Sequence, residues 1–168
     1  MLKYITDKGG YFRLPLLYCL QKCLIICLVC DDGWKYFNTS CYKAFDMNDY
    51  VNWYDAVDLC KGNKSFLVSL HSVEEENVIA DMVDTSEYQH FFTWLGGKRN
   101  FSDSQFEWGD GTDFDYEQFL YLEDEEYSCI SMHRVHIFRS YFWVWMTDNC
   151  DEKLAQKIVC KKICTKKQ

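Results

Sequence analysis

The sequence predicts an α+β fold because two helical segments come first, a long irregular loop follows, and three strand-like segments complete the chain. Apolar residues recur at helical spacing in residues 53–60 and again in residues 78–83. Residues 98–128 are polar and acidic and show no clear periodicity. Helices and strands that occur in separate blocks are typical of α+β domains. Because the chain contains no internal repeat and no linker, we predict a single domain.

A β-hairpin is predicted at the start of the domain. Residues 34–37 alternate between apolar and polar side chains, and residues 41–45 form a second segment of strand character. The residues between them, 38–40, are Asn-Thr-Ser and are suited to a turn.

Capping residues mark the two predicted helices. Asn52 can cap the first helix, with Asp55 as its partner three residues later, and Gly62 is expected to end this helix. Ser72 and Glu75 form a similar capping box at the start of the second helix. The two apolar stripes consist of Trp53, Ala56, Val57 and Cys60, and of Val78, Ile79, Met82 and Val83.

The remaining strand predictions surround one long loop. They cover residues 66–70, 92–96, 127–132, 141–146 and 157–161. Residues 98–128 form an unusually long loop for a compact domain, and such loops are usually functional. We therefore expect this loop to contact a ligand.

Composition and charge exclude several classes of protein. The ten cysteines are too many for a routine cytosolic protein, in which thiols stay reduced. Residues 31–168 hold 14 basic and 25 acidic side chains, a formal charge of −11. Nucleic acid is therefore not expected as a partner, because phosphate binding needs basic patches. The same charge disfavours anionic membrane surfaces.

The N-terminal residues have the charge order of a targeting segment. Basic side chains occur in residues 1–13, residues 14–30 are mostly apolar, and two aspartates follow at once. The apolar segment would span about 25 Å as a helix, less than the roughly 30 Å hydrocarbon core, and Lys22 interrupts it. We expect residues 1–29 to be a signal peptide; the alternatives are a type II membrane anchor or a mis-assigned start.

Six cysteines and two tryptophan landmarks resemble the long form of the C-type-lectin-like domain family. Residues 94–97 are Trp-Leu-Gly-Gly, which matches the core motif of this family, and Trp145 stands five residues before a framework cysteine. The resemblance covers residues 30–162. It implies the C-type-lectin-like fold, with two helices packed on small antiparallel sheets. The six framework cysteines are Cys30, Cys41, Cys60, Cys129, Cys150 and Cys160.

The resemblance also implies three disulfide bonds. Cys30 would pair with Cys41 in a short N-terminal hairpin, Cys60 with Cys160 across the domain, and Cys129 with Cys150 in the ligand-binding half. In the loop-closure model, a bridge across roughly 100 residues stabilises by about 4.7 kcal/mol and a short one by about 3 kcal/mol. Such bridges would keep a loop-rich domain folded outside the cell.

Many lectins of this family bind sugar through Ca²⁺, but this sequence departs from the family at the positions that hold the ion. The family's proline-containing triplet falls on residues 120–122, its acidic position on Tyr127, and its late Asn-Asp pair on residues 146–147. The only proline is Pro15, outside the domain. Because Ca²⁺ needs about six to eight oxygen ligands, we expect no Ca²⁺ at the usual site and no other cofactor. A Ca²⁺ site elsewhere in the acidic loop is left open.

Candidate ligand-binding residues lie in the acidic loop and in the late strands. The acidic candidates, for a basic partner or an unorthodox Ca²⁺ site, are Glu123, Asp124, Glu126 and Asp148. Trp143 is a candidate for stacking on a sugar ring. The alternative is that the acids form a solvated loop that aids solubility and that Trp143 belongs to the core.

These observations predict an extracellular recognition module rather than an enzyme. The ligand would be a glycan or a protein, and the protein would be secreted; the alternative is a type II receptor of the plasma membrane that binds proteins. No catalytic motif is present in the sequence. Asn38, Asn63 and Asn100 start sequons for N-glycosylation, and all three fall in predicted turns or loops.

Cys164 lies outside the cysteine framework, in residues 163–168, which we predict to be a short, exposed, basic tail. If residues 1–29 are removed, Cys164 has no partner, and a lone thiol in a secreted protein suggests an interchain bond. We therefore predict a disulfide-linked homodimer through Cys164. A free or small-thiol-capped cysteine is the alternative. If the N-terminal segment is kept, one of its cysteines would be a further possible partner.

Overall fold

Two helices and several antiparallel strands account for most of the chain that the structure describes. The computed structural model describes residues 28–84, 92–102, 104–120, 128–137 and 140–166. The elements in these ranges are β1 Leu28–Val29, β2 Lys35–Phe37, β3 Ser40–Val51, α1 Trp53–Gly62, β4 Phe66–Leu67, α2 Val73–Val83, β5 Phe92–Arg99, β6 Phe106–Trp108, β7 Cys129–Ile137, β8 Ser140–Asp148, β9 Ala155–Ile163 and β10 Thr165–Lys166. The predicted α+β class is confirmed.

The strands of the described ranges form two four-stranded sheets and one small two-stranded sheet, all antiparallel. The first sheet has the order β2-β3-β9-β4, and the second has the order β6-β5-β7-β8. The third sheet pairs β1 with β10. The second sheet carries the long loop between β6 and β7, so it positions the candidate recognition surface.

The capping residues predicted for the two helices are confirmed. The Asn52 carboxamide oxygen accepts a hydrogen bond from the Asp55 backbone N–H at 2.8 Å, and the Ser72 hydroxyl oxygen accepts one from Glu75 at 3.2 Å. The helix α1 ends at Gly62, as predicted. Asn63 follows as the C-cap, and its side chain donates to the Leu59 carbonyl at 2.9 Å.

Two hydrophobic clusters pack on the sheets. One is centred on the fully buried Trp145 and includes residues of α2, β5 and β7. The other surrounds the fully buried Trp94 and includes the inward face of α1. The three disulfides implied by the resemblance are present in the structure: Cys30–Cys41, Cys60–Cys160 and Cys129–Cys150. The long-range bridge fastens α1 to β9 beside the second cluster.

A close backbone approach explains the first glycine of the Trp-Leu-Gly-Gly motif. The Gly96 backbone N–H donates to the Val68 carbonyl at 2.7 Å. A Cβ added at Gly96 would stand 2.4 Å from the Leu67 carbonyl oxygen, which is backbone and cannot turn aside. Glycine therefore lets β5 lie against the segment after β4. The predicted strand 66–70 is shorter in the structure and covers Phe66–Leu67.

One local prediction differs from the structure in residues 98–128. The predicted irregular segment 98–128 contains β6, three residues that pair with the end of β5 between Gly97 and Arg99. Apolar side chains at Phe106 and Trp108 flank one polar residue, and this single repeat is too short to predict a strand from sequence.

The prediction that Cys164 lies in an exposed tail is wrong. Its side chain is buried, and its backbone N–H donates to the Thr39 carbonyl at 3.0 Å. Thr165 pairs with Val29 in the two-stranded sheet, so the end of the chain lies against the start of the domain. An interchain bond through Cys164 would require these strands to separate. The homodimer stays a prediction.

The predicted targeting segment, residues 1–29, lies almost wholly outside the described residues. Among the described residues, neither α1 nor α2 is long and apolar enough to cross a membrane.

We predict that Gly96→Ala lowers the free energy of unfolding by at least about 1–3 kcal/mol, because the new methyl group overpacks against backbone. Gly62→Ala is the matched control, since nothing lies within 4 Å of the added Cβ. It should raise the free energy of unfolding by up to about 1 kcal/mol through helix propensity. Urea denaturation measures both changes. Equal effects of the two substitutions would contradict the close approach at Gly96.

Candidate ligand-recognition loop

The candidate site is the segment between β6 and β7, residues 109–128, which we call the long loop; the structure describes residues 109–120 and 128 of it. Its two ends are fixed by the second sheet. The Gly109 backbone N–H donates to the Gly96 carbonyl at 2.9 Å, and the Ser128 carbonyl accepts from Arg99 at 2.7 Å. The long loop therefore starts and finishes beside β5.

Aromatic packing fixes the middle of the long loop. Phe114 stacks on Trp108 at a ring-centroid distance of 4.8 Å, and Phe119 meets the edge of Trp145 at 5.7 Å. Tyr116 also meets Trp145 edge-on, at 5.5 Å. Aromatic pairs at these distances contribute beyond the area that they bury, by about 0.5–1.5 kcal/mol each. The long loop thus has its own hydrophobic attachment to the core.

Backbone hydrogen bonds join the long loop to the edge of the second sheet. The Trp145 backbone N–H donates to the Gln118 carbonyl at 2.9 Å, and the Leu120 N–H donates to the Trp145 carbonyl at 3.1 Å. Phe119 and Trp145 form an isolated parallel bridge between these bonds. Because β8 is the edge strand, the long loop satisfies backbone groups there that would otherwise face solvent.

A first polar anchor lies where the long loop begins. The Ser69 hydroxyl donates to one carboxylate oxygen of Asp110 at 2.6 Å, and the Thr112 backbone N–H donates to the other at 3.0 Å. Burial alone would raise the pKa of Asp110, but these hydrogen bonds outweigh it and hold that pKa below its usual range. Asp110 is therefore a carboxylate that fixes the turn of the loop, rather than a free ligand group.

His71 provides a second polar anchor, from the segment before α2. Its Nδ1 lies 2.6 Å from the Asp115 carboxylate, and its Nε2 lies 3.1 Å from the Thr112 hydroxyl. The hydrogen bond from His71 is the main reason why the pKa of Asp115 is lowered. Both ring nitrogens thus contact the same stretch of the long loop.

The third polar anchor connects Tyr116 to α2. The Tyr116 hydroxyl donates to the Glu76 carboxylate at 2.9 Å, and Glu76 is buried. Burial raises the pKa of Glu76, although the hydrogen bond from Tyr116 opposes that rise. Burial, followed by the bond to Glu76, raises the pKa of Tyr116 to about 12. Tyr116 therefore keeps its hydroxyl proton at physiological pH and donates a hydrogen bond to Glu76.

A buried ion pair supports these anchors from below. The Lys161 ammonium lies 2.7 Å from the Glu75 carboxylate and donates to the Ser69 carbonyl at 3.1 Å. The second Glu75 oxygen accepts the His71 backbone N–H at 2.8 Å. The Tyr42 hydroxyl also donates to Glu75, and its pKa is raised first by burial and then by this contact. Both anchoring residues, Ser69 and His71, are thereby held in place.

The residues predicted as ligand contacts do not come together in the described part of the chain. Glu123, Asp124 and Glu126 lie outside the described residues. Trp143 is half-buried and packs against the cluster around Trp145. Asp148 is also on β8 but, at odd spacing from Trp143, faces the opposite side of the sheet. One ligand could therefore not contact both side chains on a single face.

Asp148 lies in a small polar cluster with Ser131 and His133. The Ser131 hydroxyl donates to the Asp148 carboxylate, and His133 Nε2 lies 2.8 Å from that hydroxyl and 3.3 Å from the carboxylate. A catalytic triad needs the serine and the acid on different ring nitrogens, so that the acid orients the base. Here both face the same nitrogen, and Ser131 is fully buried. The arrangement fits a structural cluster.

The positions of the family's usual Ca²⁺ ligands offer little to an ion. Met146 is half-buried and carries a thioether, which a hard cation does not prefer, and Thr147 is almost fully buried. Among the described residues, the only group of three or more close potential metal ligands is formed by the sulfur atoms of Cys30, Cys41 and Cys164. No group of three or more carboxylate or histidine side chains close enough to share an ion is found in those same ranges.

The three predicted glycosylation sites differ in their surroundings. Asn38 is exposed in the turn between β2 and β3. Asn63 is the cap of α1 and uses its amide nitrogen to bind the Leu59 carbonyl. Asn100 follows β5, and its side-chain oxygen accepts a hydrogen bond from the Ser102 hydroxyl at 2.6 Å. Glycosylation at each of them stays a prediction.

Comparison with known proteins identifies the family. The Lectin C-type domain profile matches residues 49–162, so the chain belongs to the C-type lectin family. One relative is "Snaclec coagulation factor X-activating enzyme light chain 1" of Daboia siamensis, 35% identical over 136 residues that cover 80% of this chain and 83% of the relative. Another is a snaclec of Trimeresurus stejnegeri named as a coagulation factor IX/factor X-binding protein, 30% identical over 79% of this chain and 84% of the relative.

Solved structures share the fold. A calcium-independent type II antifreeze protein superposes with a TM-score of 0.65 at 23% identity, and covers 82% of this chain and 97% of its own. The carbohydrate-recognition domain of cow CD23 gives a TM-score of 0.66 at 24% identity, with coverage of 83% and 99%. These identities establish the shared C-type lectin fold alone.

The anchors of the long loop were not predicted from the sequence. Ser69, His71 and Glu76 precede or begin α2 and are ordinary polar residues in their local context. A signal was present at residues 113–116, where acidic and aromatic side chains alternate as Asp-Phe-Asp-Tyr. Such alternation indicates a segment with one face buried and the other exposed.

We predict that Glu76→Gln stabilises the protein at neutral pH by about 0.5–2 kcal/mol, the usual size of a stabilising substitution. A carboxyl whose pKa is raised by folding adds stability below its unfolded pKa of about 4.3, and loses that contribution as pH rises through the folded pKa. The gain should therefore be small near pH 4 and larger at neutral pH. Glutamine can still accept the Tyr116 hydrogen bond.

Thermal unfolding at several pH values measures this effect. Glu74→Gln is the matched control, because Glu74 is exposed in the same first turn of α2. It should change the melting temperature little at any pH. A Glu76→Gln protein that is less stable than the parent at neutral pH would contradict the burial of an ionised Glu76.

Proposed function

We propose that this protein is an extracellular recognition module that binds a protein ligand through the long loop, without Ca²⁺ at the usual site of the family. It would act by binding rather than by catalysis. The observation that carries this proposal is the attachment of the long loop to the rest of the domain. Aromatic packing on Trp145, a backbone bridge to β8 and three polar anchors hold the loop through protein contacts.

A loop held in this way does not need an ion to be ordered for binding. Preorganisation lowers the entropy that a binding surface loses when it meets its ligand. The positions that would complete a Ca²⁺ site carry Met146 and Thr147. A sugar bound through Ca²⁺ would therefore lack its main attachment, which favours a ligand recognised by the protein surface itself.

The exposed surface of the long loop supports a protein ligand with a basic face. Asp113 and Glu117 are exposed, and Leu120 in the same loop is about half exposed. Carboxylates and an exposed apolar side chain on one loop complement a partner that offers lysine or arginine together with an apolar patch. The relative from Trimeresurus stejnegeri is named as a factor IX/factor X-binding protein, which supports protein recognition in this branch of the family.

The disulfide bonds support an extracellular location. Three bridges join six of the cysteines, and disulfides persist in oxidising compartments. We favour a secreted protein, and a type II receptor of the plasma membrane is the alternative. The two differ in the role of residues 1–29, which would be a signal peptide in the first and a membrane anchor in the second.

An array of proteins and glycans, probed with the folded protein in Ca²⁺ and again in chelator, tests the proposal. We expect binding to one or more basic proteins, with equal signal in both conditions. Binding to glycans alone, lost in chelator, would contradict it. Binding to glycans that survives chelator would keep calcium independence but overturn the protein ligand.

Charge removal on the long loop locates the binding surface. Asp113→Asn combined with Glu117→Gln should weaken binding to a basic protein roughly tenfold or more, mostly through the association rate. The matched control is Asp49→Asn with Asp81→Asn, which removes two exposed charges from β3 and α2. Surface plasmon resonance measures both. Equal loss in the two double variants would place binding elsewhere.

A further inference from the structure

Three sulfur atoms meet where the two ends of the domain lie together. Cys30 and Cys41 are joined in a disulfide, and Cys164 is a free thiol. The Cys164 Sγ lies 3.2 Å from the Cys41 Sγ and 3.8 Å from the Cys30 Sγ. A thiol in contact with both sulfurs of a disulfide has a reaction partner already in place.

The backbone pairing brings these sulfurs together. Cys41 lies opposite Lys162 in the β3–β9 ladder, two residues before Cys164. On the other side, Val29 pairs with Thr165. Continuing that register by one residue puts Cys30 opposite Cys164. Cys164 is thus at the junction of two sheets, next to both ends of the bond.

We infer that this junction is a site of thiol–disulfide exchange. The Cys164 thiolate attacks the Cys41 Sγ, a Cys41–Cys164 bond forms, and the Cys30–Cys41 bond breaks. Cys30 leaves as a thiolate and takes up one proton, which balances the proton that Cys164 lost. The number of disulfides and thiols is unchanged, so no oxidant or reductant is consumed.

The exchange moves the thiol from a buried to a more accessible position. Cys164 and Cys41 are buried, whereas Cys30 is half-buried and directly follows the N-terminal segment. Because Cys60–Cys160 already joins these two regions of the chain, the new bond closes only a short path through residues 41–60 and 160–164. Cys30, rather than Cys164, would then be the thiol that a second chain or a small disulfide can reach.

The closed structure restrains this exchange. Burial raises the pKa of the Cys164 thiol, which lowers the fraction of reactive thiolate. Cys164 also lies beside the bond rather than on its axis, so a rotamer change precedes the attack. The paired strands β1 and β10 flank the junction, since Val29 precedes Cys30 and Thr165 follows Cys164. Separation of these two strands would allow both changes.

Peptide mapping without reduction tests the exchange. The folded, secreted protein is held at mildly alkaline pH, quenched with acid, alkylated with N-ethylmaleimide in denaturant and digested with trypsin. A Cys41–Cys164 bond links the peptides 36–43 and 163–166, whereas Cys30–Cys41 links 36–43 to the peptide that contains Cys30. We expect the first pair to appear with an equal molar amount of alkylated Cys30. Finding only the second pair, with label only on Cys164, would overturn the inference.

Two variants test the pairing and the exchange in turn. Cys30→Ser removes the leaving group, so Cys41 and Cys164 can be linked only when an added disulfide such as oxidised glutathione takes up their two electrons. We expect that bond to form in the folded variant, because the two sulfurs lie 3.2 Å apart. Cys164→Ser removes the nucleophile, and alkylation of Cys30 should disappear. If Cys30→Ser folds with Cys41 and Cys164 both open to alkylation even after the added disulfide, the inference is wrong. If Cys30→Ser does not fold, mapping of the parent and Cys164→Ser decides.

Discussion

The packing of the long loop against Trp145 is the constraint on which the candidate site depends. Trp145 is fully buried, and rings from both β6 and the long loop surround it. The same residue exchanges backbone hydrogen bonds with Gln118 and Leu120. A loop of this length has a large conformational entropy, and ordering it must be offset by burial and hydrogen bonds. Trp145 provides both at one position.

The polar anchors depend in turn on a buried charge pair. Lys161 on β9 and Glu75 on α2 hold the segment that carries Ser69 and His71. A buried pair of this kind is weak evidence for stability, because desolvation offsets much of its attraction. Its effect here is to fix the positions of the groups around it, since the Glu75 carboxylate binds both the Lys161 ammonium and the His71 backbone N–H. Ser69 and His71 in turn hold Asp110 and Asp115 of the long loop, whereas Asp113 and Glu117 are exposed.

Local chemistry explains what could be predicted from the sequence. Asn52 and Ser72 cap helices because their side chains bind backbone groups three residues away, a distance that sequence shows directly. The six framework cysteines and Trp145 were recognised from their order and spacing. Cys164 could not be placed, because its burial follows from the pairing of two-residue strands at opposite ends of the chain. Asp148 and Trp143 were separate candidates, and they lie on opposite faces of β8 because the sheet face of a residue depends on strand parity.

Hydrogen–deuterium exchange of the long loop tests most directly whether protein contacts alone hold it in place. The backbone N–H groups of Leu120 and Trp145 join the loop to β8, so exchange of these amides reports whether that bridge is closed. The Val68 amide, which donates to Val159, is an internal reference in the core. We predict that protection at Leu120 and Trp145 is the same in excess Ca²⁺ and in chelator. Protection that is present only with Ca²⁺, while Val68 is unchanged, would contradict a loop anchored by the protein itself.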